Sequence, residues 1–379
     1  MPAPEKEEKP VSMDCLLVAD DLTGACDAAV HFAARGLRPA AVLVARGTGA
    51  AGARVLAVST ESRDLPPAEI LRALAAAATE FPVDSAALVF KKIDSTLRGN
   101  TGLEIAAALE SFHCDAAVVC PAFPSMHRVV EGGFLRVAGT PEFAPVDVAR
   151  LLHLQSGHAC AHTQPDGIAA ILSAGARFVS VDANCDLDLD RIAAAILPVG
   201  RRILWVGSAG LASALARLLG QACAPRSAPA RTGAALFCIG SDHSVTGAQQ
   251  RSLLAQRPSV LLHPHAATRE SVCQALAGGK HVILRIPRGL VSLERVRECI
   301  AGAPAAALVL SGGDTASLVC RAAGVQRIEL CDEIVSGVPH GILHGGEFDG
   351  VSVATKSGGF GRSDTLIQVA DYFSCPNRT

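Results

Sequence analysis

Short apolar runs that end in polar or glycine-rich turns recur along the chain and alternate with Ala-rich stretches of helical character. The first group covers Leu16–Ala19, Ala40–Val44, Val55–Val58, Ala87–Phe90, Ala116–Cys120, Phe178–Val181 and Ile203–Val206. The second covers Leu236–Ile239, Val260–Leu262, Val282–Ile286, Ala307–Leu310, Ile328–Leu330 and Val351–Ala354. Runs of this length bounded by turn signals predict strands, and their spacing by helices predicts an α/β fold with largely parallel sheets covered by helices. Between the groups stands CAPRSAPART, Cys223 to Thr232, which has two prolines and no periodicity and reads as a linker. The expected organisation is one α/β domain over 12–222, the linker over 223–232, and a second α/β domain over 233–379. An active site is expected in the cleft between the domains, where both offer strand ends.

Composition supports this picture and removes several function classes. A length of 379 residues fits two domains, and a chain that is 50% hydrophobic and 18% charged is globular. The net charge of -2, with one Trp and one Tyr, supplies neither a basic footprint nor a base-stacking set, so nucleic acid is not an expected partner. The 13 cysteines are odd in number and lie mostly inside apolar runs, as in Val118-Val119-Cys120 and Phe237-Cys238-Ile239, which reads as small buried hydrophobes in a reducing compartment. The opening MPAPEKEEKP is charged and Pro-rich, unlike a signal peptide or a membrane span, so a cytoplasmic protein is expected. In GHACAH, alternation sets His158, Cys160 and His162 on one strand face, but no fourth ligand accompanies them. A surface strand or loop is expected there and no metal centre.

Candidate chemistry sits at the ends of the predicted strands. Asp20 and Asp21 end the first strand and precede a helix for which Thr23 is the expected N-cap and Gly36 the stop. One carboxylate would suffice for the helix dipole; two adjacent ones repel, which points to a hydroxylated ligand or a cation. The stretch ALVFKKIDSTLRGN crowds Lys91, Lys92, Asp94, Ser95, Arg98 and Asn100 behind an apolar run. Lys91 and Arg98 as solvated rim charges would be the plain reading; Arg98 beside Gly99 also suits a carboxylate, with the glycine letting backbone approach a ligand. The turn STESRDLPP brings Arg63 and Asp64 to the same end of the first domain.

In the second domain three glycine turns follow strands directly: Gly240-Ser241-Asp242-His243, Ser311-Gly312-Gly313-Asp314-Thr315, and Lys356-Ser357-Gly358-Gly359-Phe360-Gly361. Glycines at a helix N-terminus aim backbone N–H groups at one point, as a phosphate chain requires, and Lys356 would neutralise phosphate charge. There is no GxxxxGK[ST] run and no clean GxGxxG, which sets aside a P-loop enzyme and weakens a dinucleotide site.

Taken together, VADDLTGACD, KKIDSTLRGN, PAFP, VDANCDLDLDRI, VGSAGLA, SGGDTA and KSGGFG occur in the order of the four-carbon acid sugar kinase family, which the chain resembles from about Asp14 to Gly361. The resemblance implies an N-terminal domain that binds a small sugar acid, a C-terminal domain that binds ATP, and phosphoryl transfer to the terminal hydroxyl across the cleft. It places Asp20, Asp21, Lys92, Asp94, Ser95 and Arg98 on the sugar-acid side and Ser241, Gly312, Gly313, Asp314, Thr315 and Gly358 on the ATP side. Asp20 or Asp21 would orient or deprotonate the hydroxyl, and Arg98 with Lys92 would hold the carboxylate. Mg²⁺ is expected from ATP chemistry.

The chain also departs from the family. His243 stands where the G-S-C-S-x-x-T-x-x-Q turn has its second serine, Asp314 where G-G-E-T has a glutamate, and Pro124-Ser125-Met126-His127-Arg128-Val129 where members read P-E-A-G-R-T. The segment from Gly132 to Gln155 is compressed. These changes are expected near the sugar pocket, with an effect on substrate choice. Two other readings remain open: a noncatalytic sugar-acid or nucleotide-binding paralogue, and a nicotinamide-dependent oxidoreductase, against which the missing glycine fingerprint stands. The particular tetronate and the oligomeric state, self-association included, are left open by the sequence.

Overall fold

A computed structural model describes residues 13–44, 52–140, 143–199, 202–223 and 231–374. The opening MPAPEKEEKP and most of the expected linker, 224–230, lie outside the described residues. In chain order the strands are β1 Met13–Ala19, β2 Ala40–Leu43, β3 Val55–Ser59, β4 Ala86–Lys92, β5 Ala116–Cys120, β6 Arg128–Glu131, β7 Phe134–Val137, β8 Val146–Asp147 and β9 Cys160–Thr163. They continue as β10 Phe178–Val181, β11 Ile203–Gly207, β12 Ala235–Ile239, β13 Ser259–Leu262, β14 His281–Arg285, β15 Ala307–Ser311, β16 Arg327–Val335, β17 Val338–His344 and β18 Ser352–Lys356. β6, β7 and β8 form a small antiparallel sheet, and the rest form one 15-stranded sheet.

The order in the large sheet is β13-β14-β12-β15-β18-β17-β16-β2-β3-β1-β4-β11-β5-β10-β9. Two parallel arrays are recognisable, one centred on β1 and β4 and one on β15. Their inner strands are buried on both faces, as near-continuous runs of Val, Leu, Ile and Ala require under covering helices, while β9 and β13 at the two edges are only partly buried. The sequence leads to two separate sheets; the structure joins them, because β16 pairs antiparallel with β2 and β17, and β17 pairs antiparallel with β18. Only Ile328–Leu330 of this hairpin reads as strand in sequence, since Asp332, Glu333, Pro339 and Gly341 depress β propensity.

Register decides what the strand ends bring together. In the first array, Ala19 lies opposite Ser59 of β3 and Lys92 of β4. Asp20 and the turns after Ser59 and Lys92 therefore emerge side by side. In the second array, Ser311 lies opposite Ile239 of β12 and Lys356 of β18, so the three glycine turns are neighbours. The helix Leu22–Ala33, with four Ala, one Gly and one Cys among its residues, packs on the helix Ala209–Leu219 of its own half and also on β16, β18 and the helix Gly313–Ala322 of the other. Its small residues allow that close approach on both sides, which draws Asp21 up to the second half.

Candidate functional site

The polar turns of both arrays line one cavity of about 510 Å³. Asp20, Asp21, Arg63 and Arg98 face it from the first half; Ser241, His243, Gly312, Gly313, Asp314, Thr315 and Gly358 face it from the second. Lys92, Asp94, Ser95 and Lys356 do not line it; all four side chains are buried.

On the acid side, one guanidinium serves both aspartates. Arg63 Nε donates to Asp20 Oδ2 at 2.7 Å and Nη2 to Asp20 Oδ1 at 2.8 Å, while Nη1 pairs with Asp21 Oδ2. The cation that the two adjacent acids called for is thus part of the chain. Burial pushes the Asp20 carboxyl up, but the charge and hydrogen bonds of Arg63, with Lys91 and Lys92 behind, outweigh it and hold the carboxyl below its ordinary value. Asp21, not Thr23, is the N-cap of the helix Leu22–Ala33: its backbone is extended and Oδ1 accepts from Gly24 N at 2.5 Å.

The turn after β4 folds around Asp94. This carboxylate accepts from Thr96 N at 3.1 Å, Arg98 Nε at 3.0 Å and Arg98 Nη2 at 2.5 Å. Burial raises it, yet these Arg98 contacts, together with the Arg63 charge and Thr96, hold it far below the carboxylate range. Gly99, at φ 84°, packs closely on protein: an added Cβ would stand 2.7 Å from the Arg63 carbonyl, so the glycine seats this turn on the neighbouring one. Lys91 is not a rim charge. It is fully buried and paired with Glu104 at 2.5 Å, which also accepts from Ser62 Oγ at 2.9 Å. Lys92 Nζ donates to the Ile93 carbonyl at 2.9 Å, away from the cavity.

On the glycine side the helix Gly313–Ala322 begins at Gly312, at φ 102°, with no side-chain cap, so neither Asp314 nor Thr315 satisfies its first N–H groups. Gly313 touches the acid half directly: a Cβ there would stand 2.9 Å from the Asp21 side chain. Ser241 is wedged between the other two turns, where a Cβ on Gly358 would come within 2.0 Å of its Oγ. His243 caps the helix Ser244–Gln256, its Nδ1 accepting from Val245 N at 3.2 Å. Burial lowers its pKa, with Lys356, Arg98 and Arg128 adding to the effect. The ring is therefore the neutral Nε2–H tautomer, inferred from the bond at Nδ1.

Lys356 departs from its expected role. Its ammonium is turned beneath the last glycine turn and donates to the carbonyls of Ser357 at 2.8 Å, Gly358 at 3.2 Å and Phe360 at 3.2 Å. It shapes the turn from behind. Burial pushes its pKa down to about 7. Met126 and Arg128 do not line the cavity: both pack on Phe360, whose ring lies 6.0 Å from Phe123 and 5.3 Å from the Arg128 guanidinium, and Arg128 stays close enough to Asp94 and Arg98 to feel their charge. His127 adopts φ 63°, the left-handed region, at the place where the family pattern has glycine. The GHACAH histidines are used locally, His158 stacked on Phe178 and His162 bonded to Ser180 at 3.0 Å.

Sequence reasoning passed over Glu61 and Arg288, both in the cavity wall. For Arg288 a signal was present: Pro287-Arg288-Gly289 is a turn placed directly after β14.

Comparison with known proteins adds an independent line. A family model described as a sugar-binding N-terminal domain matches residues 15–215, and one described as a nucleotide-binding C-terminal domain matches residues 285–366. The D-threonate kinase of Bordetella bronchiseptica is 34% identical over 93% of this chain and 96% of that protein. The D-erythronate kinase of Heliobacterium modesticaldum is 29% identical over 94% of this chain and 96% of that protein. A solved Haemophilus influenzae protein, 21% identical, shares the fold with a TM-score of 0.70 over 95% of this chain and 100% of its own.

Proposed function

The chain belongs to the four-carbon acid sugar kinase family, and from that premise we propose that it transfers the terminal phosphate of ATP to the C4 hydroxyl of a four-carbon sugar acid such as D-threonate, D-erythronate or a 3-oxo-tetronate. The half around β1 takes the acid and the half around β15 takes the nucleotide, an assignment supported by the two matched domain descriptions. The observation that carries the reading is the contact of Asp21 with Gly313, which sets a carboxylate against the first turn of an uncapped helix inside one cavity.

Phosphoryl transfer asks mainly for alignment and charge neutralisation. The uncapped N–H groups of the Gly313 helix supply neutral donors for a phosphate chain. Asp21, nearest that turn, orients the acceptor hydroxyl and receives its proton; Asp20, gripped at both oxygens by Arg63, holds the clamp rigid. Arg98 lines the cavity with a guanidinium that a substrate carboxylate can share with Asp94. The donor set fits Mg²⁺, a hard cation that usually travels with the nucleotide and needs only one or two carboxylates: Asp314, exposed in the cavity wall, is the carboxylate that would hold it, and bound there it would neutralise phosphate charge.

ADP release measured against a panel of C4 acids, their 3-oxo forms and C5 analogues tests the proposal. Turnover confined to C4 acids is expected, and no turnover with any acid on the panel would end it.

A further inference from the structure

A triphosphate in this cavity needs a cation that the described side chains leave available. Lys356, the residue expected from sequence, is turned away under its own loop. Of the three arginines in the wall, Arg63 is locked between Asp20 and Asp21, and Arg98 is joined through two nitrogens to the buried Asp94 and already given to the substrate carboxylate. Arg288 is held differently. It reaches from the turn after β14 and pairs at once with Asp64 of the acid half and Asp314 at the start of the uncapped helix. Its side chain is 59% exposed, as are those of both partners to a similar degree.

Ion pairs this open to water add little stability, so exchanging their acid for another anion costs little. Carboxylate and phosphate present the same paired-oxygen geometry to a guanidinium fork, and phosphate carries more charge. The two aspartates thus hold the fork in the cavity wall, beside the helix N-terminus that would receive the phosphate chain. We propose that Arg288 binds the terminal phosphate of the nucleotide, leaving Asp64 and Asp314 for the phosphate oxygens. The proposal rests on the kinase reading and assigns a residue to it.

The test is calorimetric titration of the full chain with ADP and with a non-hydrolysable ATP analogue. In Arg288→Met, affinity for the analogue should fall about tenfold or more, the range of a charge-assisted hydrogen bond, while ADP binding stays within about twofold. Arg288→Lys, which keeps the charge without the fork, should fall between. Asp64→Asn removes a competing carboxylate and should hold or tighten analogue binding. Unchanged analogue binding in Arg288→Met, an equal loss for ADP, or an equal loss in Asp64→Asn would each overturn the proposal, the last by making the ion pair itself the functional element. In all three cases wild-type turnover would leave the kinase reading standing. A wild-type protein that binds neither nucleotide and releases no ADP would remove both.

Discussion

The two walls of the cavity are built on opposite plans. The acid wall presents charged side chains already satisfied by one another or by buried partners behind it: Arg63 pairs with Asp20 and Asp21, Arg98 pairs with the buried Asp94, and Lys91 and Glu104 form a buried pair further back. The glycine wall is made of backbone, three turns fitted against each other, with the charged Lys356 placed behind them as a support. The first plan is sensitive to the loss of a charge and the second to the gain of a methyl group. A substrate with a carboxylate and several hydroxyls needs fixed charges of both signs, whereas a phosphate chain is gripped by N–H groups that any side chain would obstruct.

Removing a charge from the acid wall should produce the largest effect. Arg63→Met leaves Asp20 and Asp21 buried without their partner, and breaking a buried pair in this way costs about 3–5 kcal/mol. Chemical denaturation should show that loss, and adding Asp20→Asn should recover part of it. A stability within about 0.5 kcal/mol of wild type would mean that the clamp is not structural.

Next comes a methyl group on the glycine wall. Gly313→Ala presses on the Asp21 side chain, which its cap bond and Arg63 hold in place. Overpacking of this kind costs about 1–3 kcal/mol, and kcat should fall more than stability because Asp21 is displaced. Wild-type kcat in this variant would break the contrast between the walls.

The smallest effect is a pH dependence carried by Lys356. Its pKa lies at about 7 in the folded protein against an ordinary 10.5. Between those values the unfolded chain holds a proton that the folded chain has released, so this lysine lets stability rise with pH from about 7 to about 10.5. Below about 7 the buried ammonium is charged and this gain is absent. Lys356→Met should flatten that rise in melting curves recorded across the window; an identical slope in both proteins would place the titration elsewhere.

Much of this was readable in sequence because strand ends in parallel arrays are ligand sites, and polar turns after Ala19, Lys92, Ile239, Ser311 and Lys356 stand out against an apolar chain. Reading which turns meet depends on register, and reading which side chains face the cavity depends on partners far away in sequence. Lys356 escapes a sequence reading for that reason: a lysine at a strand end can reach forward to a ligand or back to loop carbonyls, and local sequence is the same in both cases. Gly99 is similar, its neighbour being the Arg63 backbone. The β16–β17 hairpin was missed because Pro339 and Gly341 mask its alternation, although tertiary pairing on both sides supports it.

That hairpin has a consequence for how the gene can be divided. Arg327, Ile328 and Glu329 cover the outer side of β2, opposite Leu43, Val42 and Ala41. A fragment ending before residue 231 would keep the whole acid wall yet leave β2 as a bare edge, open to strand addition by another copy. The first half is thus sealed along β2 by the second, and expressing it alone invites self-association along that edge.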